Sequence, residues 1–220
     1  MAAEPEKLTV YQGQFGEFTV TQNDRIKVII YRLGLCLASF NFAIATLLIL
    51  IIGEQLWVLN LLTLLFVMFS VGLGISLVTI HIYLRPLHRL LQVFWIIGTI
   101  TALIIAWQSS DPLALFVYNH PSTLFGIGFT FAALTGIFFK EAFCFNRLET
   151  KFLTFLVPSL LLCHLIEILP VRVESLLLAS WGLLFVIFGS RKAIQAIPPD
   201  IGDKSVFTHL EQQRSISLSS

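Results

Sequence analysis

Residues 33–52 read LGLCLASFNFAIATLLILII, and none of these 20 side chains is charged. A helix needs about 20 apolar residues to cross the roughly 30 Å of hydrocarbon in a bilayer. The stretch therefore predicts a transmembrane helix. The residues before it lack the basic start and apolar core of a secretory signal, so we expect it to remain in the membrane.

Five more apolar stretches follow along the chain. They cover residues 57–84, 87–107, 123–139, 152–169 and 176–188. Of the 220 residues, 56% are hydrophobic and only 12% are charged, whereas about a quarter of the residues in a soluble domain are charged. The predicted fold class is all-α, a polytopic bundle of about six transmembrane helices.

This pattern divides the chain into three segments. We predict a polar N-terminal segment at 1–28, a six-helix domain at 29–190 and a mobile polar tail at 191–220. The sequence LTVYQGQFGEFTVT, residues 8–21, is typical of a short β-hairpin. Asn23 and Asp24 follow it as expected capping residues for the first helix. No segment is long enough for a separate catalytic domain, so we predict that the protein is not an enzyme.

Positive charge is distributed very unevenly over the predicted topology. The chain has 14 Lys and Arg residues, and with six spans Arg172 alone falls on the side opposite the termini. Positively charged loops stay on the cytoplasmic side of a membrane. We therefore predict that both termini are cytoplasmic, or stromal in a plastid.

Small residues recur every four positions in two of the predicted spans. Such stripes let helix backbones approach closely, so we predict packing seams here, with glycine hinges as the alternative. The positions are Gly98, Ala102 and Ala106 in the third span and Gly128, Ala132 and Gly136 in the fourth.

His164 and Glu167 are the first candidate site. Residues three apart lie on one face of a helix, and ionisable groups inside a membrane are costly enough to suggest function. We interpret the pair as a proton relay, a substrate site or, through the imidazole, a haem or pigment ligand. The alternative is structural, with Glu167 paired to Arg172 and His164 bonded to a carbonyl.

The second candidate site is the predicted cytoplasmic loop KEAFCFNRLETK, residues 140–151. Its aromatic and charged residues alternate as in a segment that lies in the membrane interface. The charges either pair internally or form a docking surface for another membrane protein. The docking candidates are Lys140, Glu141, Cys144, Asn146, Arg147 and Glu149.

At VYQGQFGEFTVT, DRIKVIIYRLGL and FFKEAFCFNRLETK the chain resembles a family of uncharacterised integral membrane proteins of cyanobacteria and plastids. The resemblance implies a setting, namely a thylakoid, plasma or plastid inner envelope membrane. It implies no role for any residue.

We expect a non-enzymatic accessory or assembly factor of a larger photosynthetic membrane complex. A small-solute, ion or proton-coupled transporter that uses His164 and Glu167 is the first alternative, and a pigment or haem binder through His164 is the second. The expected partners are the lipid bilayer and other membrane proteins. With a net charge of +1, nothing indicates nucleic acid, and no residue spacing is typical of a metal site or a cofactor site.

Overall fold

The computed structural model describes residues 10–80 and 85–206, together with residues 209 and 212. Among these residues, six helices are long and apolar enough to cross a membrane. This confirms the predicted all-α polytopic class. In chain order the elements are β1 Val10–Gly13, β2 Gly16–Thr19, α1 Gln22–Ile51, α2 Leu56–Thr79, α3 Arg85–Gln108, α4 Leu113–Asn119, a 3₁₀ turn at Pro121–Thr123, α5 Leu124–Phe145, α6 Leu148–Leu165, α7 Val171–Ile194 and α8 Pro198–Ile201.

The six long helices form a ring in chain order. α1 packs along α2, α2 borders α3, and α3 packs along α5. α6 and α7 follow, and α7 closes the ring against α1. Because the number of crossings is even, both described ends lie on the same side of the bundle. We call this the terminal side and the other the opposite side.

Aromatic rings fill the centre of the bundle. The Phe42 and Trp181 ring centroids are 4.4 Å apart, and Phe69 stacks on Phe131 at 5.8 Å. Such pairs stabilise a core beyond the area that they bury. Nearer the terminal side, Phe138, Phe185 and Phe188 are completely buried.

Small residues bring neighbouring helices close together at several crossings. A Cβ atom added to Gly34 of α1 would lie 2.6 Å from the Gly72 carbonyl oxygen of α2. α3 and α5 are close in the same way, because Gly98 of α3 lies against Thr130 and Gly136 of α5 lies against Leu91. Gly128 is different, because its position faces only Leu124 of its own helix, at 3.9 Å. The predicted seam along α5 is therefore wrong at this end.

Several predicted span boundaries differ from the helices. The second predicted span, 57–84, corresponds to a helix that ends at Thr79, and residues 81–84 lie outside the described part. The predicted spans at 123–139 and 176–188 are too short, because α5 and α7 continue through charged residues that contact other helices. The span predicted at 152–169 corresponds to α6, which begins at Leu148 and ends at Leu165.

The N-terminal hairpin is present, with Val10 paired to Thr19 and Gly13 to Gly16. Helix α1 begins earlier than the predicted caps, at Gln22. The Thr21 hydroxyl accepts the Asp24 N–H, and the Asp24 carboxylate accepts the Thr21 N–H. This reciprocal pair is a capping box.

Residues 195–206 correct the prediction of a mobile tail that begins at 191. Residue 191 lies inside α7, and Ile201 is buried with Val20 and Val28 in a small apolar cluster beside the hairpin. Asp203 accepts the Gln14 N–H at 2.6 Å. The hairpin and the segment after α7 therefore form one packed layer on the terminal side.

Candidate functional site

A cluster of buried charges lies on the terminal side, between the hairpin layer and the aromatic core. Its members come from α1, α5, α7 and α8. The sequence analysis did not predict that they lie together. We call it the buried charge cluster. It consists of Tyr31, Arg32, Lys140, Glu141, Lys192 and Asp200.

Glu141 lies at the α5 end of the buried charge cluster, and its side chain is completely buried. One carboxylate oxygen accepts the Tyr31 hydroxyl at 3.0 Å and the Lys140 ammonium at 2.8 Å. The other accepts the Lys192 ammonium at 2.6 Å. Every Glu141 oxygen therefore has a donor, which a buried carboxylate requires.

Asp200 lies at the other end of the cluster. One of its oxygens accepts the Arg32 Nε and Nη2 groups at 2.8 and 2.6 Å. Its other oxygen accepts the Lys192 ammonium. Arg32 also donates to the carbonyl oxygens of Gln195 and Ala196. Arg32 and Lys192 thus fix the chain after α7 onto α1.

Aromatic faces complete the surroundings of Lys192. Its ammonium lies 4.2 Å from the Phe145 ring centroid and 5.6 Å from that of Tyr31. A desolvated cation gains from such contacts. With three cations and two carboxylates, the cluster has a net charge of +1 when all five groups are ionised.

The predicted docking loop, residues 140–151, is mostly helix. α5 continues to Phe145, and only Asn146 and Arg147 separate it from α6; Asn146 has a φ of 52°, in the left-handed region. The prediction of a segment lying flat in the interface is wrong, because Glu141 and Glu149 point into the bundle.

The charged members of that loop have partners both within residues 140–151 and at the end of α7. Glu149 accepts Arg191 at 3.0 Å, and Arg147 donates to the Gln195 side chain at 2.6 Å. Lys151 donates to the Asn146 side chain. Pairing between charges of the loop itself, the structural alternative of the sequence analysis, is therefore observed only for Lys140 with Glu141. Cys144 is exposed.

The opposite side contains the second group of polar side chains. His164 Nδ1 lies 2.9 Å from a Glu174 carboxylate oxygen, and the His164 ring stacks on Tyr118 with centroids 5.0 Å apart. The Tyr118 hydroxyl lies 3.4 Å from the other Glu174 oxygen. Partial burial, together with that carboxylate, raises the pKa of Tyr118 above its ordinary value.

Glu167 does not share a helix face with His164, so that prediction is wrong. α6 ends at Leu165, and Glu167 is exposed in the connection that follows, with a φ of 53°. Within residues 10–80 and 85–206, no carboxylate contacts Arg172. His164 is paired with Glu174 of α7 instead, ten residues further on.

The chemistry available to these groups is limited. No set of three His, Cys, Asp or Glu side chains in the described part could hold one metal ion. The polar groups between the two ends are mostly bonded, as in the 2.8 Å contact of Ser70 with Thr99. Thr130 Oγ1 and the Trp181 indole nitrogen are buried without a partner among the described residues.

Sequence reasoning missed the buried charge cluster because its partners are far apart along the chain. Arg32 and Asp200 are separated by 168 residues, and Glu141 and Lys192 by 51. A local signal did exist. Lys140 and Glu141 follow directly on the apolar run that ends at Phe139, where a solvated loop would not be expected to begin.

Comparison with known proteins gives a family without an assigned activity. No curated protein and no solved structure matches the chain. Residues 75–209 match the model of a family described as uncharacterized integral membrane protein (DUF2301). That stretch includes Glu141, Lys192 and Asp200 of the buried charge cluster. The chain belongs to this family of integral membrane proteins.

Proposed function

We propose that the protein is a non-enzymatic accessory or assembly factor of a larger membrane complex. The observation that supports this most is the filled interior. Aromatic side chains occupy the centre, and the buried charged groups of the described part hold helices to one another. Such a bundle suits a rigid scaffold better than a path for solutes.

A surface for the partner is available on the terminal half of α5 and α6. Phe143 and Phe155 are 84% and 74% exposed, and three more large apolar side chains accompany them. Residues spaced by three or four share a helix face. We call this the α5–α6 aromatic face. Its members are Phe139, Phe143, Leu148, Phe152 and Phe155.

The proposed setting is a photosynthetic membrane, which is thylakoid, plasma or plastid inner envelope. The resemblance of the hairpin and of residues 138–151 to cyanobacterial and plastid sequences supports it. The distribution of Lys and Arg supports cytoplasmic or stromal termini. The α5–α6 aromatic face then contacts the half of a partner nearest that compartment.

The test is affinity purification of tagged protein from native membranes in mild detergent, with mass spectrometry of the partners. We expect subunits of one large complex in constant proportion to the bait. The double variant Phe143→Ala/Phe155→Ala should lose them, while Phe40→Ala, at a 48% exposed position of α1, should keep them. Migration of the wild type as a free monomer or homodimer would contradict the proposal.

Transport is the second candidate function. The Trp181 N–H, buried at the centre without a partner among described residues, supports it, because a solute or water would satisfy this donor. The pairs His164–Glu174 and Lys192–Glu141 would then close the two ends. Proton transport is tested by measuring proton flux into liposomes that contain the purified protein and a trapped pH-sensitive dye.

For transport we expect His164→Ala and Glu174→Gln to lower the proton flux, and the exposed Glu167→Gln to leave it unchanged. Flux equal to that of protein-free liposomes would count against this function. An absorption spectrum of the same preparation tests the pigment or haem hypothesis for His164. A colourless preparation from native membranes would exclude it.

A further inference from the structure

A groove of about 370 Å³ runs between α5 and α6 on the opposite half of the bundle. It lies away from the buried charge cluster and from the α5–α6 aromatic face. Its floor and walls come from these two helices alone. The residues that matter most for its shape are Gly128, Ala132 and Thr135 of α5 and Pro158, Leu161 and Leu165 of α6.

The groove exists because small residues leave room that no described side chain fills. Gly128 has no side chain, and the nearest atom to a Cβ there would be Leu124 Cβ of the same helix, at 3.9 Å. Ala132, one turn further on, contributes only a methyl group. Pro158 lines the facing wall on α6.

The lining is suited to hydrocarbon. Ten of the eleven lining residues are apolar or glycine, and the Thr135 hydroxyl donates to the Phe131 carbonyl oxygen of its own helix at 2.8 Å. The groove therefore offers no free hydrogen-bond donor. A polar occupant would lose its hydration without compensation.

The length of the groove corresponds to one leaflet. From Leu124 to Thr135 the rise is about 16 Å at 1.5 Å per residue, which is about half of the roughly 30 Å hydrocarbon core. The groove begins near the opposite-side end of α5 and ends near mid-membrane. Both described chain ends leave the bundle on the terminal side, far from it.

The width of the groove favours a hydrocarbon chain over a partner helix as its occupant. Packed neighbouring helices have axes about 8–10 Å apart, and a helix with side chains is about 10–12 Å across. A partner helix could only lie over the space between α5 and α6, whereas a hydrocarbon chain enters it. We propose that this groove binds one acyl chain of a glycerolipid from the leaflet on the opposite side.

Photolabelling of the full chain tests this site. The purified protein is reconstituted in phosphatidylcholine vesicles that contain a small fraction of phosphatidylcholine with a diazirine near the end of one acyl chain. After irradiation, the labelled peptides are identified by mass spectrometry. We expect the label to be concentrated at residues 124–135 and 158–165, above the level on the lipid-facing side of α3.

Variants that fill the groove provide the second measurement. Gly128→Leu/Ala132→Leu should abolish the excess label on α5 and α6. Ala106→Leu makes the same change as Ala132→Leu at an exposed position of α3 and should leave the excess unchanged. Gel filtration of each variant establishes that it is folded, and the wild-type distribution of label tests the site even if the double variant does not fold.

Label spread evenly over the lipid-facing helices would overturn the proposal, as would an excess that persists in the folded double variant. In native membranes, crosslinks from residues 124–135 to another polypeptide in place of lipid would also overturn it. That last result would identify a partner helix lying over the groove.

Discussion

The Lys192 ammonium lies 2.6 Å from a Glu141 carboxylate oxygen, and neither side chain is exposed. The same ammonium binds Asp200. One lysine therefore joins a carboxylate of α5 to a carboxylate of α8. Because Glu141 also binds Lys140, and Asp200 also binds Arg32, each carboxylate keeps one cation when Lys192 is removed.

The net charge of the buried charge cluster predicts the order of variant stabilities. Lys192→Met changes the net charge of the cluster from +1 to 0 and leaves two ion pairs. Glu141→Gln changes it to +2, with one carboxylate among three cations. Breaking a buried pair costs about 3–5 kcal/mol, so we expect Glu141→Gln to lower the thermal unfolding midpoint in detergent much more than Lys192→Met.

Lys151→Met is the matched control for these variants, because the Lys151 side chain is exposed and, among the described residues, is bonded only to the Asn146 side chain on the turn. Its unfolding midpoint should equal that of the wild type. Equal midpoints for Glu141→Gln and Lys192→Met would show that net charge does not govern the stability of the cluster.

The crossing of α1 and α2 predicts a strong effect of one methyl group. In Gly34→Ala the new carbon would lie 2.6 Å from the Gly72 carbonyl oxygen, so the helices must separate. Overpacking of this kind costs about 1–3 kcal/mol. Gly128→Ala, which has free space, should be neutral or stabilising. Denaturant titration in mixed micelles would compare the two, and a more stable Gly34→Ala variant would refute the crossing.

The contact between Tyr118 and Glu174 predicts a change in titration. Since the carboxylate contributes to the raised pKa of Tyr118, Glu174→Gln should lower that pKa towards its ordinary value of about 10. Phenolate absorbance measures it, with Tyr118→Phe identifying this residue's share of the signal. Glu167→Gln should not alter the titration curve. An unchanged curve in Glu174→Gln would show that the Glu174 carboxylate does not raise the pKa of Tyr118.

The Asp203 carboxylate predicts a pH dependence for the hairpin. The Gln14 N–H and the Ser205 hydroxyl donate to it, and these bonds hold its pKa below the ordinary value. A lowered carboxylate pKa stabilises the fold above the unfolded value, and this contribution is lost as the pH falls through the folded value. We therefore expect the attachment of the hairpin to Asp203 to weaken on acidification below about pH 4.

Hydrogen exchange measures that attachment at two amides, since the Gln14 N–H donates to Asp203 and the Phe15 N–H donates to the Ser205 hydroxyl. Asp203→Asn should speed exchange at neutral pH, because the amide group replaces a charged acceptor by a neutral one. Glu17→Gln, on the exposed side of the hairpin, should not. If exchange at both amides were the same in Asp203→Asn as in the wild type, the carboxylate would not hold the hairpin.

The sequence was sufficient for whatever depends on local composition. Apolar runs located the six helices, and the glycine-containing segment at 8–21 indicated the hairpin. Helix ends were less predictable, because Lys140 and Lys192 look like solvated residues until their partners are known. Whether a charge ends a helix or is buried along it depends on contacts with other helices.

The candidate sites could be predicted only in part. His164 does lie in a polar contact, but its partner Glu174 belongs to the next helix, and a one-turn spacing rule selected Glu167. Pairing within residues 140–151 was among the alternatives and holds for Lys140 with Glu141, whereas Glu149 pairs with Arg191 of α7. Arg32 and Asp200 could not be paired from spacing, since their proximity results from the closure of the helix ring.

Arg32 also acts at a stage before the fold is complete. In the topology that we propose, Arg32 is one of the cations that orient α1 during insertion, and at that stage Asp200 has not yet been synthesised. The ribosome must add another 168 residues before the guanidinium meets its carboxylate. Insertion therefore uses this charge in its free form, and the finished protein neutralises it. A nascent chain that stops before residue 200 would leave the Arg32 guanidinium without its carboxylate partner.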